Sequence, residues 1–122
     1  MSIRRGDVFW VDLNPVKGSE QAGRRPVVVI QNDVGNAVAP TVIVAPLTTK
    51  SFTKSYPMNV HIPRGIAGLK EHSTALLSQI RTIDKTRLGP KIGHLPPSYL
   101  TQVDQAICVS LGLSGSTRTI KF

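Results

Sequence analysis

A single cysteine, Cys108, stands in the 122 residues of the chain, so no internal disulfide is available to staple the fold. Its position within an apolar helical pattern marks it as a buried structural thiol. No apolar run approaches the roughly 18 residues that a bilayer-spanning helix requires, which excludes that kind of anchor. The opening Met-Ser-Ile-Arg-Arg-Gly-Asp lacks the apolar stretch of a secretory signal, and the expected location is the cytoplasm. Internal repeats, low-complexity segments and linker-like composition shifts are missing as well. A chain of this length suits one domain, 1–122, and 40% hydrophobic with 18% charged residues fits a soluble globular fold rather than a disordered one.

Acidic residues are scarce. Seven Asp and Glu face fifteen Lys and Arg, for a net charge of +8, a balance that suits a polyanionic partner such as nucleic acid. The excess is spread along the chain rather than held in a tail, yet residues 97–113 contain no Lys or Arg at all. A polyanion is therefore expected to meet the rest of the surface. Solubility is the alternative role for this excess.

Strand signals dominate the first two thirds. Phe9 to Leu13, Arg25 to Ile30 and Thr41 to Ala45 are short apolar runs rich in β-branched residues, and the last two are nearly continuous, as strands covered on both faces are. Asn59 to Ile62 alternates weakly, and Thr74 to Ile83 supplies further strand-like stretches broken at Ser78 and Gln79. Five or six short strands with Gly, Pro and Asn punctuation predict a mainly β fold, a small antiparallel barrel. The period then changes: Leu100, Val103, Ile107 and Leu111 lay one stripe along a C-terminal helix, with Pro96 and Pro97 in its first turn and Gly112 or Gly115 at its end. Residues 114–122 are small, polar and basic, and are expected to fray or add an edge strand. Two loops exceed ordinary hairpin length: Asn14 to Arg24, and Lys50 to Met58, which is expected either to close over a groove or simply to be mobile.

Sites for metal or for nucleophilic catalysis do not emerge. His61, His72 and His94 are scattered without metal-ligand spacing, and there is no Gly-rich phosphate loop or nucleophile elbow. Each histidine reads as structural or exposed. What remains is a set of polar residues at strand edges: Ser19, Glu20, Arg24 and Arg25 beside one strand, Thr48 and Thr49 ending another, Gln79 and Arg81 in a third. Arg25 precedes Pro26, which holds its backbone extended and so helps aim its guanidinium. A planar guanidinium with a nearby hydroxyl can hold a phosphodiester and stabilise charge developing on its oxygens. The reaction that asks for little else is RNA cleavage by the substrate's own 2′-hydroxyl. Against this stands an ordinary surface ion pair of Arg25 with Glu20 or Asp33, and an ordinary strand-end role for Thr48.

Blocks along the chain decide between these readings. Arg5-Gly6-Asp7-Val8, Asp12-Leu13-Asn14-Pro15, Gly18-Ser19-Glu20-Gln21, Arg25-Pro26-Val27-Val28-Val29-Ile30-Gln31-Asn32-Asp33 and Gln79-Ile80-Arg81-Thr82-Ile83-Asp84-Lys85 together resemble the MazF/PemK (Kid) toxins, endoribonucleases of bacterial type II toxin-antitoxin modules. The resemblance implies an SH3-like barrel with a C-terminal helix, a fold shared with CcdB-like proteins, acting as a homodimer. It implies metal-independent, cofactor-free cutting of single-stranded RNA, chiefly mRNA, at short motifs, leaving 2′,3′-cyclic phosphate and 5′-hydroxyl ends. Catalysis would fall to Arg25 and Thr48, the arginine having proton-transfer and electrostatic duties in the family account; a guanidinium is a poor base near neutral pH, which favours the electrostatic part. Ser19, Glu20, Asn32, Ser78 and Gln79 would line the groove and read unpaired bases. Ser78 departs from the carboxylate common in relatives, and Lys17 is another variable loop position. The implied partner is an acidic MazE-like antitoxin, which +8 complements. A CcdB-like protein that binds DNA gyrase, or a barrel that binds RNA without cutting it, are the alternatives.

Overall fold

Thr41–Thr48, the longest of the β-branched runs, becomes the spine of the sheet. A computed structural model, which describes residues 2–114, gives the strands β1 (Asp7–Asp12), β2 (Arg24–Val29), β3 (Thr41–Thr48), β4 (Asn59–Ile62), β5 (Ser73–Leu76), β6 (Arg81–Asp84) and β7 (Leu88–His94). A short helix α1 (Asp33–Val38) follows β2, and α2 (Pro97–Leu111) closes the chain. Hydrogen bonding orders the strands β4-β5-β3-β2-β1-β7, with every pairing antiparallel. One edge of β3 meets β2; the other meets β6 along Thr41 to Val44 and β5 at Leu47 and Thr48. The architecture is thus the expected mainly β, barrel-like fold with a C-terminal helix, although β4 and β7 end the ladder without pairing to close it.

Apolar residues fill both faces of this sheet, as the continuous runs in β2 and β3 predict. Val8, Val28, Ala45, Leu47, Val60, Ile62 and Ala75 face α2 and pack on Val103 and Ala106. Phe9, Val11, Val27, Val29, Val42, Val44 and Ile83 form a second core on the opposite face. The buried stripe of α2 differs from the predicted one. Val103, Ala106 and Val109 are buried whereas Leu111 is 59% exposed, because a 3.6-residue period carries the inward face past position 107 to Ser110, whose hydroxyl donates to Leu77 O. Gly112, in the left-handed conformation, ends the helix as expected. The expectation for 114–122 concerns residues beyond the described ones, Ser114 excepted.

Two elements escape periodicity. β7 contains Gly89, Pro90 and Gly93, residues that normally argue against a strand, but it is the edge partner of β1 and its register shifts at two places. The glycines are required by contact: a Cβ at Gly89 would strike Trp10 O, and one at Gly93 would overlap the Ala67 carbonyl of the 3-10 turn Ile66–Gly68. Helix α1 is too short to show a stripe and is set by its cap, Asn32 Oδ1 accepting from Gly35 N at 2.8 Å.

Asp7 ties the start of β1 to the end of β7. Its fully buried carboxylate accepts from His94 Nδ1 at 2.8 Å and from Arg4 N at 2.9 Å, with Lys91 Nζ at 3.1 Å. Burial pushes this carboxyl up, but the hydrogen bonds from His94, Arg4 and Lys91, with the lysine charge, outweigh it and hold Asp7 below its ordinary value of 3.8. A carboxyl depressed on folding contributes stability that is complete above the unfolded value and is lost as pH falls through the folded one. Asp7→Asn should therefore lower stability by about 1–3 kcal/mol at neutral pH. In urea melts the gap to the unmodified protein should narrow below pH 3.8; a gap constant down to strongly acid pH would contradict this role.

Candidate active site

The register of β2 on β3 decides what stands beside what. Val27 pairs with Pro46, Val28 with Ala45 and Val29 with Val44, and the same antiparallel step carried two residues past the Val27–Pro46 pair puts Arg25 opposite Thr48. Cross-strand partners point to the same face, here the face of Val27 and Val44. The side chain of Arg25 obeys this geometry. Its Nε donates to Ala22 O at 2.9 Å and its Nη1 to Leu47 O at 3.3 Å, one residue before Thr48. Neither Glu20 nor Asp33 pairs with it: Glu20 Oε1 accepts from Lys17 N at 2.6 Å, and Asp33 Oδ1 from Arg5 N at 2.7 Å. Among the described residues, Arg25 forms no ion pair.

Thr48 is 9% exposed, and its Oγ1 accepts from Lys50 N at 3.2 Å. A hydroxyl that already accepts keeps its own hydrogen to donate. The two carbonyl bonds of Arg25 likewise anchor one side of the guanidinium and leave the Nη2 end without a bond among the described residues. The pair thus combines a fixed cation with a poised O–H donor, the set suited to an anionic oxygen.

The candidate groove residues gather where the edge of β3 away from β2 lacks a partner. Between the β5 pairing at Leu47 and the β6 pairing at Val44, the turn over Ser78 and Gln79 spans the gap. Gln79 holds the first long loop there: its Nε2 donates to Ser19 O, and its Oε1 accepts from Gln21 N, each at 3.4 Å. A recess of about 150 Å³ results, lined by Leu13, Glu20, Gln21, Pro46, Ser78, Gln79, Ile80 and Arg81. Glu20, Ser78 and Gln79 are thereby brought together, with Ser19 joined through its backbone. Asn32 is not among them. It lies beyond the opposite end of β2, and its side chain caps α1.

Arg81 and Gln21 belong to this site by geometry, although sequence reasoning gave them no base-reading role. Arg81 Nη1 donates to Leu13 O at 2.9 Å, fixing the loop root from β6. A second recess of about 330 Å³ shares Gln21, Ser78 and Gln79 and is bounded by Lys50, Phe52, Tyr56, Met58, Asn59 and Leu76. The second long loop does border a groove, as its length suggested. His61 and His72, scattered in sequence, stack with ring centroids 5.7 Å apart and planes 18° from parallel. Among the described residues, no three His, Cys, Asp or Glu side chains converge as metal ligands do. No helix among them is long and apolar enough to cross a membrane.

Several known proteins are similar to this chain in sequence or in fold. Endoribonuclease EndoA of Bacillus subtilis (strain 168) is 50% identical over 113 residues, 93% of this chain and 97% of that protein. MazF (Form-I) from Deinococcus radiodurans superposes with a TM-score of 0.78 at 25% identity, over 93% of this chain and 99% of that one. A MazE-MazF crystal structure (Form-II) from the same organism gives 0.72 at 27% identity, over 93% and 99%. Residues 4–111, nearly the whole of the described chain and all of the site above, match one family throughout. The chain belongs to the PemK-like, MazF-like toxins of type II toxin-antitoxin systems.

Proposed function

We propose that this toxin acts as an endoribonuclease through Arg25 and Thr48, which together grip the scissile phosphate of single-stranded RNA. The observation that carries the assignment is the β2–β3 register, which sets a carbonyl-anchored guanidinium opposite a hydroxyl on one face. The ribose 2′-oxygen attacks phosphorus as its proton is released; the bond from phosphorus to the 5′-oxygen breaks, and that oxygen takes up a proton. The products are a 2′,3′-cyclic phosphate and a 5′-hydroxyl. Negative charge builds on the non-bridging oxygens in between, where Arg25 and Thr48 donate. Donors fixed before the reaction stabilise such charge without reorganising, and each is worth on the order of 3 kcal/mol of barrier.

Sequence choice resides in the recess of Glu20, Gln21, Ser78 and Gln79. Their amide and carboxylate groups can address base edges only when bases are unstacked and unpaired, which accounts for a single-strand requirement. Asn32 is separate from this recess, and any contact it makes with RNA comes from another part of the path. The substrate supplies the nucleophile and the protein the charge stabilisation, so no metal ion or cofactor is needed. Action on mRNA in the cytoplasm inhibits translation. A homodimer would present two equivalent sites, and the net charge of +8 suits neutralisation by an acidic MazE-like antitoxin.

Incubation of purified protein with a long single-stranded RNA in EDTA should give discrete cuts with cyclic phosphate ends; RNA that stays bound but intact would overturn the assignment. Arg25→Lys keeps the charge and loses the planar fork. It should lower single-turnover cleavage roughly 100-fold, and retention of nearly full rate would show that the fork is unnecessary. Mapping cut sites for Glu20→Gln and Gln79→Ala should reveal a relaxed or altered motif. Cutting by the unmodified protein without any sequence preference would refute a base-reading recess.

A further inference from the structure

One cleft among the described residues is not used by the chemistry described above. It has a volume of about 510 Å³ and is lined by Lys50, Lys54, Phe52, Tyr56, His61, His72 and Thr74, among others. Its position follows from strand register. Thr48 pairs with Thr74 across β3 and β5, and Thr74 pairs with His61 across β5 and β4. Since cross-strand partners share a face, Thr48, Thr74 and His61 form one row on the same face of the sheet, Thr48 and Thr74 largely buried and His61 exposed at its end, about 10 Å from Thr48, two strand spacings away. The alternation of β4 agrees: Val60 and Ile62 are buried in the core, while His61 is exposed. The cleft also joins the groove beside Gln79, because Lys50, Phe52, Tyr56 and Asn59 line both.

We propose that the stacked His61–His72 pair, with Lys50 and Lys54, forms a second RNA-binding subsite that holds the nucleotides on one side of the scissile phosphate. This rests on the reading of Arg25 and Thr48 as the cutting centre. The chemistry of the cleft is that of single-strand binding, rings beside cations. Arg64 N donates to His72 Nδ1 at 3.3 Å, so in the neutral ring the proton sits on Nε2, a donor for a phosphate or a base edge. The imidazole pair adds π-surface at the end of the row. In the lining of the same cleft, Phe52 and Tyr56 meet edge to face with centroids 6.2 Å apart, and Lys50 Nζ lies 5.5 Å from the Phe52 ring centroid. A strand whose phosphate rests on Thr48 continues along this row into a cleft that offers ring faces and positive charge in turn. The carboxylates of an acidic peptide would pair with the lysines but gain little from the ring faces, whereas RNA offers a phosphate for each cation and a base for each ring, which makes RNA the better fit.

The test measures affinity against substrate length. The probes are single-stranded oligoribonucleotides centred on a mapped cut site, with a 2′-deoxy sugar at the scissile position to block cutting, lengthened stepwise on the 5′ or the 3′ side. Fluorescence anisotropy on the full chain should show affinity rising with extension on one side only. In His61→Ala/His72→Ala that rise should shrink by about fivefold or more, the contribution of one stacked base. Lys54→Ala should reduce the slope of log affinity against log salt by about 0.7 for the extended probe alone. His61→Gln/His72→Gln, which keeps polar side chains of similar reach, guards against a loss caused by misfolding, and should lose the length-dependent gain with an unchanged melting temperature. An undiminished gain in both double variants, while the unmodified protein binds and cuts RNA, overturns the subsite and leaves the cutting centre standing. If the unmodified protein neither binds nor cuts any of these RNAs, the cutting centre and the subsite fail together. Weakened binding of an acidic glutamate-rich peptide by the double variants, with RNA binding intact, overturns the RNA assignment in favour of a peptide-binding cleft.

Discussion

Everything at the site hangs on how β3 is paired. Its eight residues are shared among β2, β5 and β6, and the register with β2 brings Arg25 opposite Thr48. A slip of one residue would turn the side chains of a strand to the other face. Val27, Val28 and Val29, all fully buried and divided between two cores, make such a slip costly. The interior of β2 thus fixes the position of a polar residue at its exposed end. The same logic carries across the sheet, from Thr48 through Thr74 to His61, so packing on the hidden side of three strands lays out a line of polar groups on the other.

The loops complete what the strands begin. Leu13 O and the backbone of Ser19 and Gln21 are held by Arg81 and Gln79, side chains from a distant part of the chain. A loop fastened at several points presents Glu20 and Gln21 with less freedom than its length suggests, which lowers the entropic cost of reading a base. Glu20 itself spends one oxygen on Lys17 N. Its bond within the loop and its place in the recess are compatible, because a carboxylate accepts at several lone pairs. The charge distribution follows the same division of labour: the outer part of α2 carries no Lys or Arg, while Lys50, Lys54 and Arg81 border the recesses.

Much of this was legible in the residues. The β-branched runs of β2 and β3 announced strands covered on both faces, and Asn59 to Ile62 was recognisable in full. Arg25 and Thr48 stood out as strand-end polar residues able to hold a phosphodiester together, but the family resemblance was needed to prefer that reading to an ion pair and an ordinary strand-end hydroxyl, since a contact set by antiparallel register has no signature in local spacing. β7 was hidden because its glycines and proline serve close backbone approach rather than strand propensity. The inward stripe of α2 was misjudged at Leu111, where a leucine at helical spacing suggested core and the helix had already turned away. His61 and His72 appeared unrelated because they meet only diagonally, His61 pairing with Thr74 and His72 standing just before β5, across the irregular segment that joins β4 to β5.

The account's central claim is that Arg25 and Thr48 act on one phosphate as a unit. A double-mutant cycle measures this most directly: single-turnover cleavage rates of the unmodified protein, Arg25→Ala, Thr48→Ala and the combined variant on one defined RNA. Groups that stabilise the same developing charge are non-additive, so the combined loss should fall short of the product of the single losses by at least about tenfold. Strictly multiplicative losses, or a single variant cutting at the unmodified rate, would contradict the claim.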